Sequence, residues 1–324
     1  MKIFVTGGSG FFGQRLIKRL IADQHQVSAL VQSNEKAHVV QDLGATPIIG
    51  SLNNISSWQS AMAHHEIFIH AATPAKYWAT WRFFDENIIR PTQLLYKIAN
   101  KHQIKRFIYL SCESAMYNEK SLDGVDETFR FVPANSNYGA AKQEAERLLI
   151  TTSSNTQCII LRPAFLWGPG VPSLKTIQQR VTQGKFMWID HGNVMMETVH
   201  IDNLVEATCR SLTQGKNKNI YYVTDDHPRT VKEMIGLLLA TRNITPTERS
   251  IPHNIAKIFA SVFETIWKSL HIPFPPPFTR FEYSFASLPR RYNIGKIKTH
   301  MNYRSVINFD QALKEMRDSH REQV

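Results

Sequence analysis

Three cysteines in 324 residues are too few and too scattered to staple a fold. Cys112, Cys158 and Cys209 lie far apart, with no C-x-x-C pair and no histidine cluster beside them. That argues against a disulfide framework and a zinc site, so no metal is expected, and it suits a reducing, cytoplasmic setting. Long hydrophobic runs are missing too. No stretch of about 18 uncharged apolar residues occurs, which excludes a spanning helix. The first strand pattern begins at Lys2 and leaves no room for a signal peptide. Acidic residues are in deficit: 27 Asp and Glu stand against 38 Lys and Arg, a net charge of +11. Such an excess suits nucleic acid, an anionic membrane or a phosphorylated small molecule. The basic residues are dispersed and no nucleic-acid motif is present, so nucleic acid is not an expected partner.

What the chain does have is glycine in one telling place. Ile3, Phe4 and Val5 read as a buried strand, and Gly7, Gly10 and Gly13 follow at G-x-x-G-x-x-G spacing, enclosing Phe11 and Phe12. Leu16, Ile17, Leu20 and Ile21 then recur at helical spacing. In such a strand–turn–helix unit the first glycine permits a tight turn, and the second lets backbone N–H groups approach a pyrophosphate. The third lets the helix pack closely on the sheet. The partial positive charge at the helix start favours the phosphates. This is a dinucleotide-binding arrangement.

Strand patterns at 27–31, 46–49, 66–70, 106–111 and 157–161 alternate with helical patterns at 35–43, 55–63, 84–101 and 138–152. Alternation of this kind predicts an α/β fold, a Rossmann-type doubly wound parallel sheet, with ligands bound beyond the carboxyl ends of the strands. Residues 1–163 would form this domain, with 199–230 returning to it. Residues 164–324 would mainly form a smaller C-terminal substrate-binding lobe.

The chemistry points to Tyr138 and Lys142. Four residues apart on a helix, they share a face. A phenol near its ordinary pKa of about 10 is a poor base at neutral pH, and an adjacent cation would lower that value. Proton exchange with an alcohol or a carbonyl then becomes feasible.

Together, Thr6–Gly13 and Tyr138…Lys142 resemble the extended short-chain dehydrogenase/reductase superfamily, which includes the NAD-dependent epimerases and dehydratases. His70-Ala71-Ala72, Asn87, Leu161-Arg162-Pro163, Gly168-Pro169-Gly170 and Val199-His200-Ile201-Asp202-Asn203 agree. The tail is similar to the 3β-hydroxysteroid dehydrogenase group through Tyr221–Asp226, Pro276–Arg280 and Tyr292–Lys296. The resemblance implies that Tyr138 is the general acid/base and that Lys142 holds the nicotinamide ribose. A serine after the fifth strand would orient the substrate oxygen: Ser111 on one alignment, with Cys112 and Ser114 as alternatives. Ala71 and Ala72 would border the cofactor, Pro163 would set its loop against the nicotinamide, and Asn87 would support its own helix. Homodimerisation through two helices per subunit is a further implication.

Cofactor choice turns on the end of the second strand, where an acid selects NAD and an arginine accepts the extra phosphate of NADP. Here Gln32 fills the position of that arginine, no acid follows directly, and Ser33 and Lys36 stand close by. NADP(H) is therefore favoured over NAD(H). Ser51 replaces the acid that relatives use near the adenine. The loop at 73–84 is dense in aromatics, and Phe165, Trp167, Phe186, Met187, Trp188, Met195 and Met196 extend its apolar character. As a set they argue for a small apolar substrate, sterol-like or alkyl, interconverted between secondary alcohol and ketone. Two rivals stand beside that reading: a sugar-nucleotide epimerase or dehydratase, and a non-catalytic NADP-binding scaffold. Finally, residues 253–270 form a strongly amphipathic pattern, either packed on the lobe or lying peripherally on a membrane surface.

Overall fold

The computed structural model describes residues 1–129 and 132–321. The chain opens with β1 (Lys2–Thr6), α1 (Phe11–Ala22), β2 (Gln26–Val31), α2 (Asn34–Asp42) and β3 (Thr46–Ile49). Next come β4 (Ile67–His70), α3 (Trp81–Phe84), α4 (Arg90–Lys101), β5 (Arg106–Leu110), β6 (Leu122–Val125), α5 (Asn137–Thr151) and β7 (Gln157–Pro163). Then follow β8 (Phe165–Trp167), α6 (Pro172–Thr182), β9 (Trp188–Ile189), β10 (Met195–Met196), β11 (Thr198–His200), α7 (Ile201–Ser211) and β12 (Asn219–Val223). The described chain ends with β13 (Arg229–Thr230), α8 (Val231–Ala240), β14 (Ser250–Ile251), α9 (His253–Ser269), α10 (Arg280–Ser287), β15 (Arg290–Tyr292), α11 (Gly295–Met301) and α12 (Phe309–Arg321).

Seven strands form one parallel sheet in the order β3-β2-β1-β4-β5-β7-β12. Successive side chains on a strand face opposite ways, and the sheet uses both sides. Ile3 and Val5 pack on one face with Leu16, Ile17 and Val205, while Phe4 packs on the other with Leu95, Tyr96 and Leu149. Phe4, Phe68 and Phe107 sit in register on β1, β4 and β5 and stack at 5.3 and 5.2 Å, threading the second core. β12 joins the edge beside β7, from within the segment 199–230. The turn after it is locked by Asp225, whose carboxylate accepts bonds from Trp167, Thr198, Asn203 and the His200 amide. A smaller sheet, β13-β10-β15-β6, lies beyond the main one.

Several expectations are corrected. No α-helix covers 55–63; two 3₁₀ turns, Ile55–Ser57 and Gln59–Met62, flank Trp58 there. Trp58 turns inward, stacks on Phe4 and donates its indole N–H to the Ser51 carbonyl, so side-chain burial overrides the helical pattern. The helix expected from 84 begins at Trp81, capped by the Thr80 hydroxyl. It widens to a π-turn over Asp85–Ile89 because Pro91 lacks the N–H that would continue the regular ladder. β5 stops at Leu110, which leaves Ser111 in the following turn, and β7 runs on to Pro163.

Many of the aromatics in the apolar set read from the sequence are core residues, the ordinary place for such side chains. Trp167, Trp188 and Met196 are buried in a cluster with Leu174 and Leu238, and Phe165 and Phe186 pack against it. α9 is inverted relative to a packed helix: Ala256 and Ala260 face the protein, and its large apolar residues face solvent.

Candidate active site

The carboxyl ends of β1, β4, β5 and β7 converge, and the residues singled out in the sequence gather there. Gly7 leaves β1 at φ +78°, and a Cβ on it would lie 2.8 Å from the Ala72 amide nitrogen. Ala71 and Ala72 hang on Thr6, through its carbonyl and its hydroxyl. At Gly13 a Cβ would fall 2.1 Å from the Gly7 carbonyl oxygen, so only hydrogen lets α1 cross the turn this closely. Gly10 is the N-cap of α1 and offers no side chain to it, and the first helical turn carries no acid. The opening amides of α1 therefore remain open to an anion. This cradle fits the pyrophosphate of a pyridine dinucleotide. Phe11 and Phe12 are half-buried and brace α1 against two different cores.

At the end of β2, Gln32 is exposed and accepts from the Lys36 ammonium at 3.5 Å, while Ser33 caps α2. An amide, a hydroxyl and an ammonium thus stand where the adenosine ribose would end. Pro163 is buried at the tip of β7, opposite Val223 of β12. Asn87 donates to the Phe83 carbonyl at 2.8 Å and so holds the start of the π-turn.

Tyr138 enters in the first turn of α5, behind the Ser136 cap, and is 6% exposed. Around its ring stand Tyr77 at 5.6 Å, Phe84 at 5.7 Å and Phe281 at 6.5 Å, with Phe281 also stacked on Tyr77. Burial pushes the phenol well above its ordinary pKa, the adjacent Cys112 thiol pushes it the same way, and Thr73 pulls against both. The expectation of a phenol made acidic by Lys142 is reversed. Lys142 is 2% exposed and donates to the Leu110 carbonyl at 3.0 Å, with its ammonium 4.9 Å from the centre of the Tyr109 ring. Burial lowers its own pKa.

Of the three candidates after β5, the structure brings Cys112 to the phenol. The Cys112 sulfur lies 2.8 Å from the Ser114 hydroxyl. Ser111 is 5% exposed and its hydroxyl is a buried polar group without a partner among the described residues. Such a group is costly unless something else meets it, which is a second feature consistent with a bound ligand at this end of the sheet.

Phe281 was not singled out from the sequence, and His70 and Thr73 were named there only as parts of a motif and a loop, with no role of their own. The His70 ring bridges the Thr6 and Thr92 hydroxyls at 2.7 and 3.1 Å, and burial holds its pKa down at about 3. It is a neutral strut between β4, β1 and α4. Phe281 lies 143 residues beyond Tyr138 (281 − 138), and no short-range pattern connects the two.

Residues 3–224 match the NAD dependent epimerase/dehydratase family. Similar proteins along nearly the full length include a 4-hydroxy-2-methyl-3-oxo-4-farnesyl-3,4-dihydroquinoline-1-oxide ketoreductase of Stigmatella aurantiaca, 28% identical over 98% of this chain and 96% of the relative. A 2-alkyl-3-oxoalkanoate reductase of Shewanella oneidensis is 25% identical over 98% of this chain and 85% of the relative. A decarboxylating sterol-4-alpha-carboxylate 3-dehydrogenase of Dictyostelium discoideum is 24% identical over 97% and 99%. Among solved structures, the UDP-glucose 4-epimerase of Thermotoga maritima superposes with a TM-score of 0.76 at 19% identity, covering 100% of this chain and 99% of that one. With the glycine cradle, the parallel sheet and a match covering more than half its length, the chain belongs to the NAD-dependent epimerase/dehydratase family, the extended short-chain dehydrogenase/reductase enzymes that its motifs resemble.

Proposed function

We propose that the protein is an NADP(H)-dependent oxidoreductase that reduces a ketone to a secondary alcohol on a small apolar substrate, sterol-like or alkyl. One observation carries the reading: Tyr138 is buried among Tyr77, Phe84 and Phe281, a surround that favours apolar substrate over sugar. The relatives named for ketones and sterols support it.

A phenol whose pKa is raised keeps its proton at neutral pH, which suits a general acid giving that proton to a carbonyl oxygen. The Cys112 thiol, beside the phenol, would orient the same oxygen, with the Ser111 hydroxyl as the alternative donor. Lys142 would meet the nicotinamide ribose from its seat on the Leu110 carbonyl. The bound nicotinamide supplies the hydride. Gln32, Ser33 and Lys36, with no acid directly after β2, support the phosphate-bearing cofactor.

The test is a panel of apolar ketones, 3-oxoalkanoates among them, with NADPH and the purified chain. Consumption of NADPH, lost in Tyr138→Phe, is expected. Interconversion of UDP-sugars without net cofactor use would overturn the reading in favour of an epimerase. Tight NADPH binding with no turnover of any substrate would overturn it in favour of a scaffold.

A further inference from the structure

α9 turns its apolar side outward. Ile255, Ile258, Phe259, Val262, Ile266 and Leu270 recur every three or four residues and are 42–67% exposed, while Ala256 and Ala260 are fully buried against the protein. The small alanines let the helix backbone lie close, and the large side chains are left on the far side. Exposed apolar residues scattered singly need no explanation, but a contiguous stripe of them marks an interaction surface.

The charges around the stripe say what meets it. The helix has one acid, Glu264, which is 4% exposed and spent on Lys268 at 2.9 Å and the Arg280 amide at 2.7 Å. The ionisable side chains that α9 does expose are His253, Lys257 and Lys268, half-exposed even where they pair with Asp190, Glu119 and Glu264. The whole chain carries +11. A second copy would bring the same positive charge to the contact, whereas an anionic lipid surface answers both the stripe and the lysines.

We propose that α9 lies in the headgroup–acyl boundary of an anionic phospholipid membrane. Phe274 continues the apolar surface beyond the helix, 60% exposed and packed on the Trp267 ring. Lys268 reaches over Trp78, and the neighbouring Tyr77 packs on Tyr138. The docked helix thus sets the aromatic loop, and the site beneath it, beside the lipid. That last placement rests on the proposed oxidoreductase reading; the docking itself does not.

Sedimentation of the full chain with phosphatidylcholine vesicles, with and without phosphatidylglycerol, tests the proposal without any assay of turnover. Wild-type protein is expected to pellet with the anionic vesicles and to be released by salt. The double variant Ile258→Glu/Val262→Glu is expected to lower the bound fraction about tenfold or more, since it puts charge where apolar area is buried. Gln41→Ala, exposed on α2 and outside the stripe, is expected to bind as wild type. Quenching of wild-type tryptophan fluorescence by brominated phospholipid needs no variant and is expected with anionic vesicles. Wild-type protein that ignores both vesicle types, or a folded double variant that binds as well as wild type, overturns the proposal. So does a dimer in light scattering that the double variant breaks while vesicles recruit nothing, because the stripe's occupant is then a second copy.

Discussion

Lys142 stands one helical turn beyond Tyr138, yet its ammonium donates to the Leu110 carbonyl oxygen at 3.0 Å, at the very end of β5. The lysine is thereby fixed to the sheet, and the phenol's acidity is left to its surroundings. Those surroundings are aromatic and dry, so the phenol keeps its proton. Position comes from one residue and protonation state from the packing around the other.

Removing the Tyr138 hydroxyl is expected to lower reductive turnover about 10²–10⁴-fold, the usual worth of a placed proton donor. In Tyr138→Phe, NADPH binding by calorimetry and the melting temperature should stay near wild type, because the ring remains packed. The pH profile follows from the same geometry. Reduction needs the protonated phenol, and burial raises its pKa, so this group should cause no alkaline decline below about pH 10, the ordinary tyrosine value.

Cofactor preference is expected to shift at Lys36. Its ammonium sits 3.5 Å from the Gln32 side-chain amide oxygen, at the end of β2 where the proposed cofactor's extra phosphate is expected. Lys36→Glu should raise KM for NADPH about tenfold, the worth of one charge-assisted phosphate contact, and leave KM for NADH nearly unchanged. Steady-state kinetics with each cofactor reads the difference.

The ion pair of Arg162 and Glu146 is 2% and 0% exposed, with two bonds at 3.0 and 2.5 Å and a third from Arg162 to the Tyr222 hydroxyl. Glu146→Ala would take the buried guanidinium's carboxylate counter-charge away, at an expected cost of about 3–5 kcal/mol in urea unfolding. The double variant Glu146→Ala/Arg162→Met, which removes both charges, should recover part of that loss.

Glu197 is 4% exposed and one of its carboxylate oxygens has no hydrogen-bond partner among the described residues; burial raises its pKa from 4.5 to about 8. The folded chain holds this proton up to about pH 8, and the unfolded chain releases it near 4.5. Between those values the folded state binds more protons, so this residue's contribution to stability falls as pH rises. Glu197→Gln should therefore stabilise the protein increasingly from pH 5 to pH 8, by a few kcal/mol (about 3–5) at the upper end. Thermal melts at the two pH values would show the gain.

The sheet and the cradle were legible because they rest on short-range rules: apolar runs, helical spacing, and glycines that no other residue can replace at Gly7 and Gly13. The aromatic surround was half legible. Tyr77 and Phe84 lie within 73–84, a segment dense in such residues, but Phe281 arrives from a distant helix, and Trp167 and Trp188 were drawn into a core. Choosing among Ser111, Cys112 and Ser114 needed the point where β5 ends, a difference of one residue that composition does not reveal. The α9 pattern showed which side was apolar, but not which side faced inward. Two alanines decided that. The π-turn came from one proline acting several residues upstream of itself.

The pair of Glu146 and Arg162 has a consequence for how such an enzyme changes. Glu146 rides two turns below Tyr138 on α5, and Arg162 belongs to an interior strand of the sheet, so the proposed proton donor is bolted to the least adaptable part of the molecule. Of its aromatic neighbours, Tyr77 comes from an exposed loop and Phe281 from a remote helix, neither sharing that anchorage, while Phe84 belongs to the core with it. Substrate range is thus free to drift by exchanging those outer pieces while the reaction stays the same. This modularity would let a designer graft new pockets onto an unaltered chemical centre.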